Sequence, residues 1–170
     1  MSLILALILT AAAGQQTSVE HRVTVEVFQV IELPITITDT VLVKTKKESY
    51  LLKCGLSNNS GFQVVGLRYW LIVVDSMNVT KAVVTKNEGL KLAPYKAESV
   101  TFTTPIQLKM KEDERLVLMV QQVVSTDYIW EVLKPKEALT AYIAGDYAVV
   151  PGVVKLTNQV DAPPRIRVIP

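Results

Sequence analysis

Apolar and polar residues alternate along much of this chain with a period of two, which is typical of strands that bury one face. The first such stretch places Val19, Val23, Val25, Val27 and Ile31 on odd positions. Because successive side chains of a strand point to opposite faces, these residues would share one face against a core. The pattern predicts one long, half-buried strand at the start of the domain.

Turn residues separate the apolar runs that follow. A second strand is predicted after Pro34, and the runs 50–56 and 62–74 flank the cluster Ser57-Asn58-Asn59-Ser60-Gly61. Runs bounded by such residues predict paired strands. Within the second run, residues 69–74 are apolar at every position, which is typical of a central strand covered on both faces.

The second half of the chain repeats this arrangement. Its predicted strands are 79–85, closed by Asn87-Glu88-Gly89, then 99–103, 116–124 and 128–132, the last two joined as a hairpin across Ser125-Thr126-Asp127. Strands at spacings of roughly ten residues are typical of a sandwich. The predicted fold class is all-β, an antiparallel immunoglobulin/fibronectin-III-like β-sandwich of about seven to nine strands.

One segment changes period. After Pro135, the residues Leu139, Tyr142 and Ile143 fall at i, i+3 and i+4, and Gly145 stands where a helix C-cap would lie. This pattern predicts one short C-terminal helix over residues 136–144.

The two ends of the chain differ from its middle. Residues 1–13 form an apolar run that is shorter than the about 20 residues needed to span a bilayer. With its small residues at the end, the run predicts a signal peptide over 1–14, although no Lys or Arg precedes it. A buried first strand is the alternative interpretation. The four prolines of residues 149–170 predict an extended tail, which leaves 15–148 as the sandwich domain, with its core pattern over 19–133.

Composition narrows the class of protein. The chain has 170 residues, enough for one domain with its own core, and 49% of them are apolar, which excludes wholesale disorder. Its formal net charge of +2 is too small to indicate a nucleic acid as partner. The leader predicts a periplasmic or extracellular location, with no stable membrane span after the leader is cleaved.

Four short motifs carry a resemblance to a known group. They are Asn59-Ser60-Gly61, the strand 65–75, Leu92-Ala93-Pro94 and the hairpin segment 127–130. On these motifs, residues 50–132 resemble bacterial exported immunoglobulin-like domains, such as the FxLYD-type domain and the bacterial cell-adhesion-related domain. The resemblance implies an accessory or interaction module without shared catalytic residues. Tyr95 and Tyr128 stand where the group usually has glycine, which leaves the turn types at these positions open.

Candidate catalytic and metal-binding residues are few. His21 is the only histidine and Cys54 the only cysteine, so a zinc site lacks ligands and no intramolecular disulfide can form. We interpret His21 as a strand-surface residue and Cys54 as a buried core residue. Carboxylates near strand ends, such as Asp75, Asp127 and Glu131, lack the spacing of a calcium loop, which favours a role in turns. The sequence therefore predicts no catalytic, cofactor or metal site and no enzymatic activity.

A possible interaction surface is predicted at Trp130 and Tyr128 of the hairpin and at Arg165 and Arg167 of the tail. For Trp130, as for Trp70, a place in the core is the favoured interpretation, and the alternative is an exposed ring that forms a platform for a peptide or a sugar. We predict an exported, non-catalytic interaction module that recognises another protein of the bacterial envelope, through strand addition at a sheet edge or a similar contact. The alternatives are a small-ligand or glycan-binding periplasmic domain, or a subunit of an envelope or fibre assembly.

Overall fold

The computed structural model describes residues 22–45, 47–145 and 154–159, which form ten strands and one helix. The strands are β1 (Arg22–Thr24), β2 (Glu26–Phe28), β3 (Ile35–Lys44), β4 (Tyr50–Asn58), β5 (Val64–Val74), β6 (Thr80–Leu92), β7 (Ala97–Thr101), β8 (Arg115–Ser125), β9 (Tyr128–Val132) and β10 (Val154–Asn158), and the helix α1 is Pro135–Ile143.

The strands form two sheets. Sheet A has the order β1-β3-β4-β7, and sheet B has the order β10-β9-β8-β5-β6 with β2 also paired to β8. The pairs are antiparallel except β2 with β8, which run parallel. The predicted all-β sandwich with one short helix is confirmed, with ten strands in the described chain where seven to nine were expected. The helix α1 begins and ends one residue before the predicted bounds.

The core lies between the two sheets. The ring of Tyr69 in β5 lies 5.3 Å from that of Phe102, which follows β7, so Tyr69 marks the inner face of sheet B. Leu71 and its partner Leu118 on β8 lie on the same face and are fully buried. Cys54 of β4 is buried in this core, as predicted.

The outer face of sheet B is also buried near β2, because α1 packs on that part of it. Ile72 and Met119 belong to this face and are fully buried. Phe28 of β2 is paired with Met119, and its ring stacks on Tyr142 of α1 at a centroid distance of 4.5 Å. Leu139 of the helix is buried in the same cluster. The helix explains why β5 is apolar at consecutive positions, as expected of a strand covered on both faces.

The first predicted strand is divided in the structure. β1 pairs with β3 of sheet A, whereas β2 pairs with β8 of sheet B, so the chain changes sheets at Val25. The amide of Val25 donates to the carbonyl of Thr40 at 3.1 Å and its side chain is buried. Because Val25 stays in the core throughout the crossing, the alternating pattern continues and conceals the change of sheet.

The prediction that a strand closes at Asn87-Glu88-Gly89 is wrong. These residues remain paired with β5, opposite Arg68, Leu67 and Gly66, and β6 continues to Leu92. Pairing with a long neighbouring strand satisfies the backbone hydrogen bonds of the segment, which outweighs its turn composition.

The remaining predictions concern the bounds of β7 and the segments near the two ends of the chain. β7 spans Ala97–Thr101 rather than 99–103. Residues Val154–Asn158, within the segment predicted as an extended tail, form β10, which pairs antiparallel with β9. The predicted signal peptide over 1–14 and the rest of the tail lie outside the described residues, as do His21, Arg165 and Arg167.

Candidate interaction surface

Three turns meet at one end of the sandwich, and backbone hydrogen bonds connect them. They are residues 59–63 between β4 and β5, 93–96 between β6 and β7, and 126–127 between β8 and β9. The amide of Tyr95 donates to the carbonyl of Ser60 at 3.3 Å, and that of Thr126 donates to the carbonyl of Gln63 at 3.1 Å. The turns therefore form one frame rather than three separate loops.

Asn58 holds two of these turns together. It is only 1% exposed, and its side-chain amide donates to the carbonyls of Phe62 at 2.8 Å and Ala93 at 3.0 Å. Its side-chain oxygen accepts from the amide of Ser60 at 3.0 Å. A buried amide that satisfies its hydrogen bonds in this way fixes the local geometry, because any rearrangement would leave it unpaired.

Aromatic side chains lie on this frame. The ring of Phe62 packs edge-on against Tyr128 at 4.6 Å and lies 6.3 Å from Trp130, and the rings of Tyr128 and Trp130 are 5.9 Å apart. Phe62 is 37% exposed, while Tyr128 and Trp130 are half-buried. Leu156 of β10, paired with Trp130, adds a side chain that is 55% exposed.

Tyr95 adjoins the cluster in an unusual backbone conformation. Its φ is 56°, in the left-handed region that glycine adopts without strain. Its ring lies on Gly61, where an added Cβ would come 3.3 Å from the Tyr95 hydroxyl oxygen, and the residue is 74% exposed. The turn thus has the conformation that a glycine favours, with a tyrosine in its place. We call Phe62, Tyr95, Tyr128 and Trp130 the aromatic surface.

Tyr128 differs from Tyr95, because its φ is not positive. The hydroxyl of Ser125 accepts from the amides of Asp127 at 3.2 Å and Tyr128 at 2.8 Å, and so closes this turn without a glycine. Side-chain oxygens of serine commonly satisfy turn amides in this way. The ring of Tyr128 is thereby directed toward Phe62 by the turn itself.

The structure brings two of the four predicted surface residues together and adds two others. Trp130 and Tyr128 lie side by side, and Arg165 and Arg167 are not among the described residues. Sequence reasoning missed Phe62 and Tyr95 as surface residues. The available signal is the tyrosine at a glycine position, which in the sequence alone bears on turn type and not on exposure.

Cys54 and Tyr69 do not form a reactive site. Burial raises the pKa of the Cys54 thiol to about 12, so the thiolate that nucleophilic chemistry requires is scarce. Burial, and secondarily the negative charge of Glu88, also raise the pKa of Tyr69, whose hydroxyl has no hydrogen-bond partner within the described chain. Both groups lie inside the core, where no ligand reaches them.

Glu88 connects the two sheets. Its carboxylate accepts from the amide and the hydroxyl of Thr103, both at 2.8 Å, and from the amide of Thr104 at 3.2 Å. Burial opposes ionisation, but the hydrogen bonds from Thr104 and Thr103 outweigh it and hold the pKa of Glu88 below its ordinary value. A carboxylate so fully bonded ties β6 to the segment after β7 rather than serving as a base.

Asp75 has the predicted role in a turn. Its carboxylate accepts from the amides of Met77 at 3.0 Å and Val79 at 2.8 Å, and pairs with Lys81 at 2.7 Å. The Lys81 contact and the two amides lower the pKa of Asp75. The arrangement closes the β5–β6 hairpin.

No group of three His, Cys, Asp or Glu side chains placed to hold a metal ion occurs within residues 22–45, 47–145 and 154–159. In the same part of the chain, α1 is too short to cross a bilayer, and no other helix is present. A scan against protein-family models and searches of curated proteins and of solved structures found no match to this chain.

Proposed function

We propose that this protein is an exported, non-catalytic interaction module that recognises another protein of the bacterial envelope through its aromatic surface. The observation that carries the proposal is Tyr95, an exposed ring held in a strained backbone conformation on Gly61, which precedes Phe62 of the aromatic cluster in the chain. Export is supported by the apolar leader and the module role by the resemblance of residues 50–132. The two-sheet arrangement supports the immunoglobulin/fibronectin-III-like type.

Aromatic rings on a fixed frame suit protein recognition. Tyrosine and tryptophan are enriched in interfaces, because they present a large area with only two rotatable side-chain bonds. At this surface the frame is held by Asn58 and by backbone bonds between turns. Little conformational entropy is then lost on binding, which favours affinity.

Strand addition is the less favoured mechanism. β6 is 13 residues long and pairs on one side with β5, so its other edge is open within the described chain. This edge carries three lysines, Lys81, Lys86 and Lys91. Lysines on an edge strand discourage pairing with a strand of another chain. We therefore assign recognition to the aromatic surface.

A glycan is the alternative ligand, because the same exposed rings can stack on the apolar face of a sugar. A fibre or envelope-assembly subunit, the remaining alternative, predicts concentration-dependent self-association. The photo-cross-linking experiment below distinguishes both alternatives from recognition of an envelope protein.

The test is site-specific photo-cross-linking in cells, with a photoreactive residue at Phe62 and a matched control at Lys111, which is exposed near the opposite end of β8. We expect one dominant envelope protein cross-linked from position 62 and not from 111, together with a mature N-terminus near Gln15. Cross-links to a second copy of the chain would support the assembly. Loss of capture after glycosidase treatment would support the glycan.

A retained Met1 with cytosolic partners would refute the export part of the proposal. Equal capture from positions 62 and 111 would refute the assignment to the aromatic surface. Turnover of a substrate that is lost on replacing one carboxylate or Cys54 would refute the non-catalytic role.

A further inference from the structure

A groove crosses the outer face of sheet B over β6, β5 and β8. Its cavity volume is about 330 Å³, and its floor is formed where Gly66 and Gly89 stand directly opposite each other. Two facing glycines leave backbone without side chains, which creates a notch in the sheet. A Cβ added at Gly89 would meet nothing within 4 Å, so the notch is open.

One buried polar side chain in the groove lacks a partner. Gln122 lines the groove, is only 4% exposed and stands opposite Arg68. Its amide makes no hydrogen bond with any described residue, and its polar atoms are accessible from the groove, since the Tyr69 hydroxyl is the one buried side-chain polar atom of the described chain without a partner. Gln122 thus presents an accessible donor and acceptor at the wall of the notch.

Arg68 is positioned beside it. Its Nε donates to the side-chain oxygen of Asn87 at 3.0 Å, which orients the guanidinium along the groove. No carboxylate of the described chain pairs with Arg68, and its terminal nitrogens keep their donors available. A half-buried arginine without a counter-charge is typical of an anion-binding position.

We propose that this groove binds a carboxylate group. The terminal nitrogens of Arg68 would hold its two oxygens in the bidentate arrangement that guanidinium and carboxylate favour. The Gln122 amide would donate a third hydrogen bond, and the notch above Gly66 and Gly89 would accept the substituent. Two sources share this chemistry, a peptide C-terminus and a small organic acid.

The charges around the groove leave room for an anion. Glu131 on β9 is paired with Gln122 and weakens binding of a negative group, but Lys155 on β10 is paired with Glu131 and offsets its charge. The groove also lies apart from the aromatic surface, since Glu131 and Trp130 are neighbours on β9 and point to opposite faces. The proposal is independent of the proposed function.

The test is NMR of the Arg68 Nε–H and Gln122 side-chain amide resonances, titrated with N-acetylglycine and with its neutral amide at constant ionic strength. We expect saturable shifts with the carboxylate and none with the amide. R68K keeps the charge but loses the planar fork, and G89V fills the notch, so each should weaken binding at least about tenfold. K91A, which removes one charge from β6 outside the groove, is the matched control.

Two comparisons complete the test. An N-acetylated tripeptide that binds markedly tighter than acetate would identify a peptide C-terminus, and equal binding would identify a small organic acid. Shifts from the neutral amide as large as those from the carboxylate would overturn the proposal. So would an R68K protein that binds as tightly as the unmodified protein while K91A loses affinity, because binding would then follow net charge alone.

Discussion

Replacing Tyr95 by glycine should raise the free energy of unfolding while it removes an exposed ring of the aromatic surface. The φ of 56° places a tyrosine in the left-handed region, which costs a non-glycine residue about 1–2 kcal/mol. Glycine relieves this strain but gives up about 0.5–1 kcal/mol through the greater freedom of the unfolded chain. Because the residue is 74% exposed, little packing is lost. The net expected gain is about 0.5–1 kcal/mol.

The matched variant is Tyr95→Ala, which removes the same ring but keeps the strain. Both proteins should be measured by urea unfolding with a common slope, and by thermal unfolding. A gain of this size raises the melting temperature of a domain of this length by about 1–4 °C. Y95G should therefore be more stable than the unmodified protein, and Y95A should not.

Binding separates the structural from the functional interpretation. If the strain at Tyr95 is retained for recognition, Y95G and Y95A should both lose the cross-link from position 62, although Y95G is the more stable protein. A Y95G protein no more stable than Y95A would refute the strain argument. A Y95G protein that is stabilised and still captures its partner fully would refute the assignment of Tyr95 to binding.

Three further changes test the core. Tyr69→Phe removes a buried hydroxyl that has no partner in the described chain, so the free energy of unfolding should be unchanged or rise by about 1 kcal/mol. A loss of more than about 1 kcal/mol in urea unfolding would mean that the hydroxyl is hydrogen-bonded. Glu88→Gln should cost about 1–3 kcal/mol at neutral pH. Because the folded pKa of Glu88 is lowered, its contribution to stability is complete above the unfolded pKa of about 4.3 and declines as the pH falls through the folded pKa. The free energy of unfolding should therefore fall less with acid in the variant than in the unmodified protein. Parallel curves of this free energy against pH would contradict the argument. Phe28→Ala should lower the free energy of unfolding by about 3–5 kcal/mol and speed amide hydrogen exchange in α1 more than in β5. Equal acceleration in both elements would show that the stacking on Tyr142 does not hold the helix.

Local patterns predicted local structure well. The hairpin between β8 and β9 was predicted from its turn residues, and α1 from a change of period within one residue of its bounds. The apolar run of β5 indicated a strand covered on both faces, which the helix and sheet A provide. In each case the decisive information lay within a few residues of the element.

Features set by distant partners were not predicted. The change of sheet at Val25 depends on β3 and β8, which are remote in sequence. The extension of β6 through Asn87-Glu88-Gly89 depends on pairing with β5, and the inward direction of Glu88 depends on amides of Thr103 and Thr104. The alternation of apolar residues indicates which side chains are buried, but it does not indicate which sheet a strand joins.

The Tyr69 hydroxyl, the Tyr95 backbone and the Gln122 amide are each locally unfavourable, and they differ in whether a ligand can reach them. The unpaired hydroxyl of Tyr69 lies inside the core, where no partner can enter, so it is a tolerated cost of packing. The strain at Tyr95 and the unpaired amide of Gln122 both lie where a ligand can arrive. A bound molecule could satisfy the amide, and contact with a partner could offset the strain. Accessibility therefore separates the two features that point to recognition from the one that concerns stability alone.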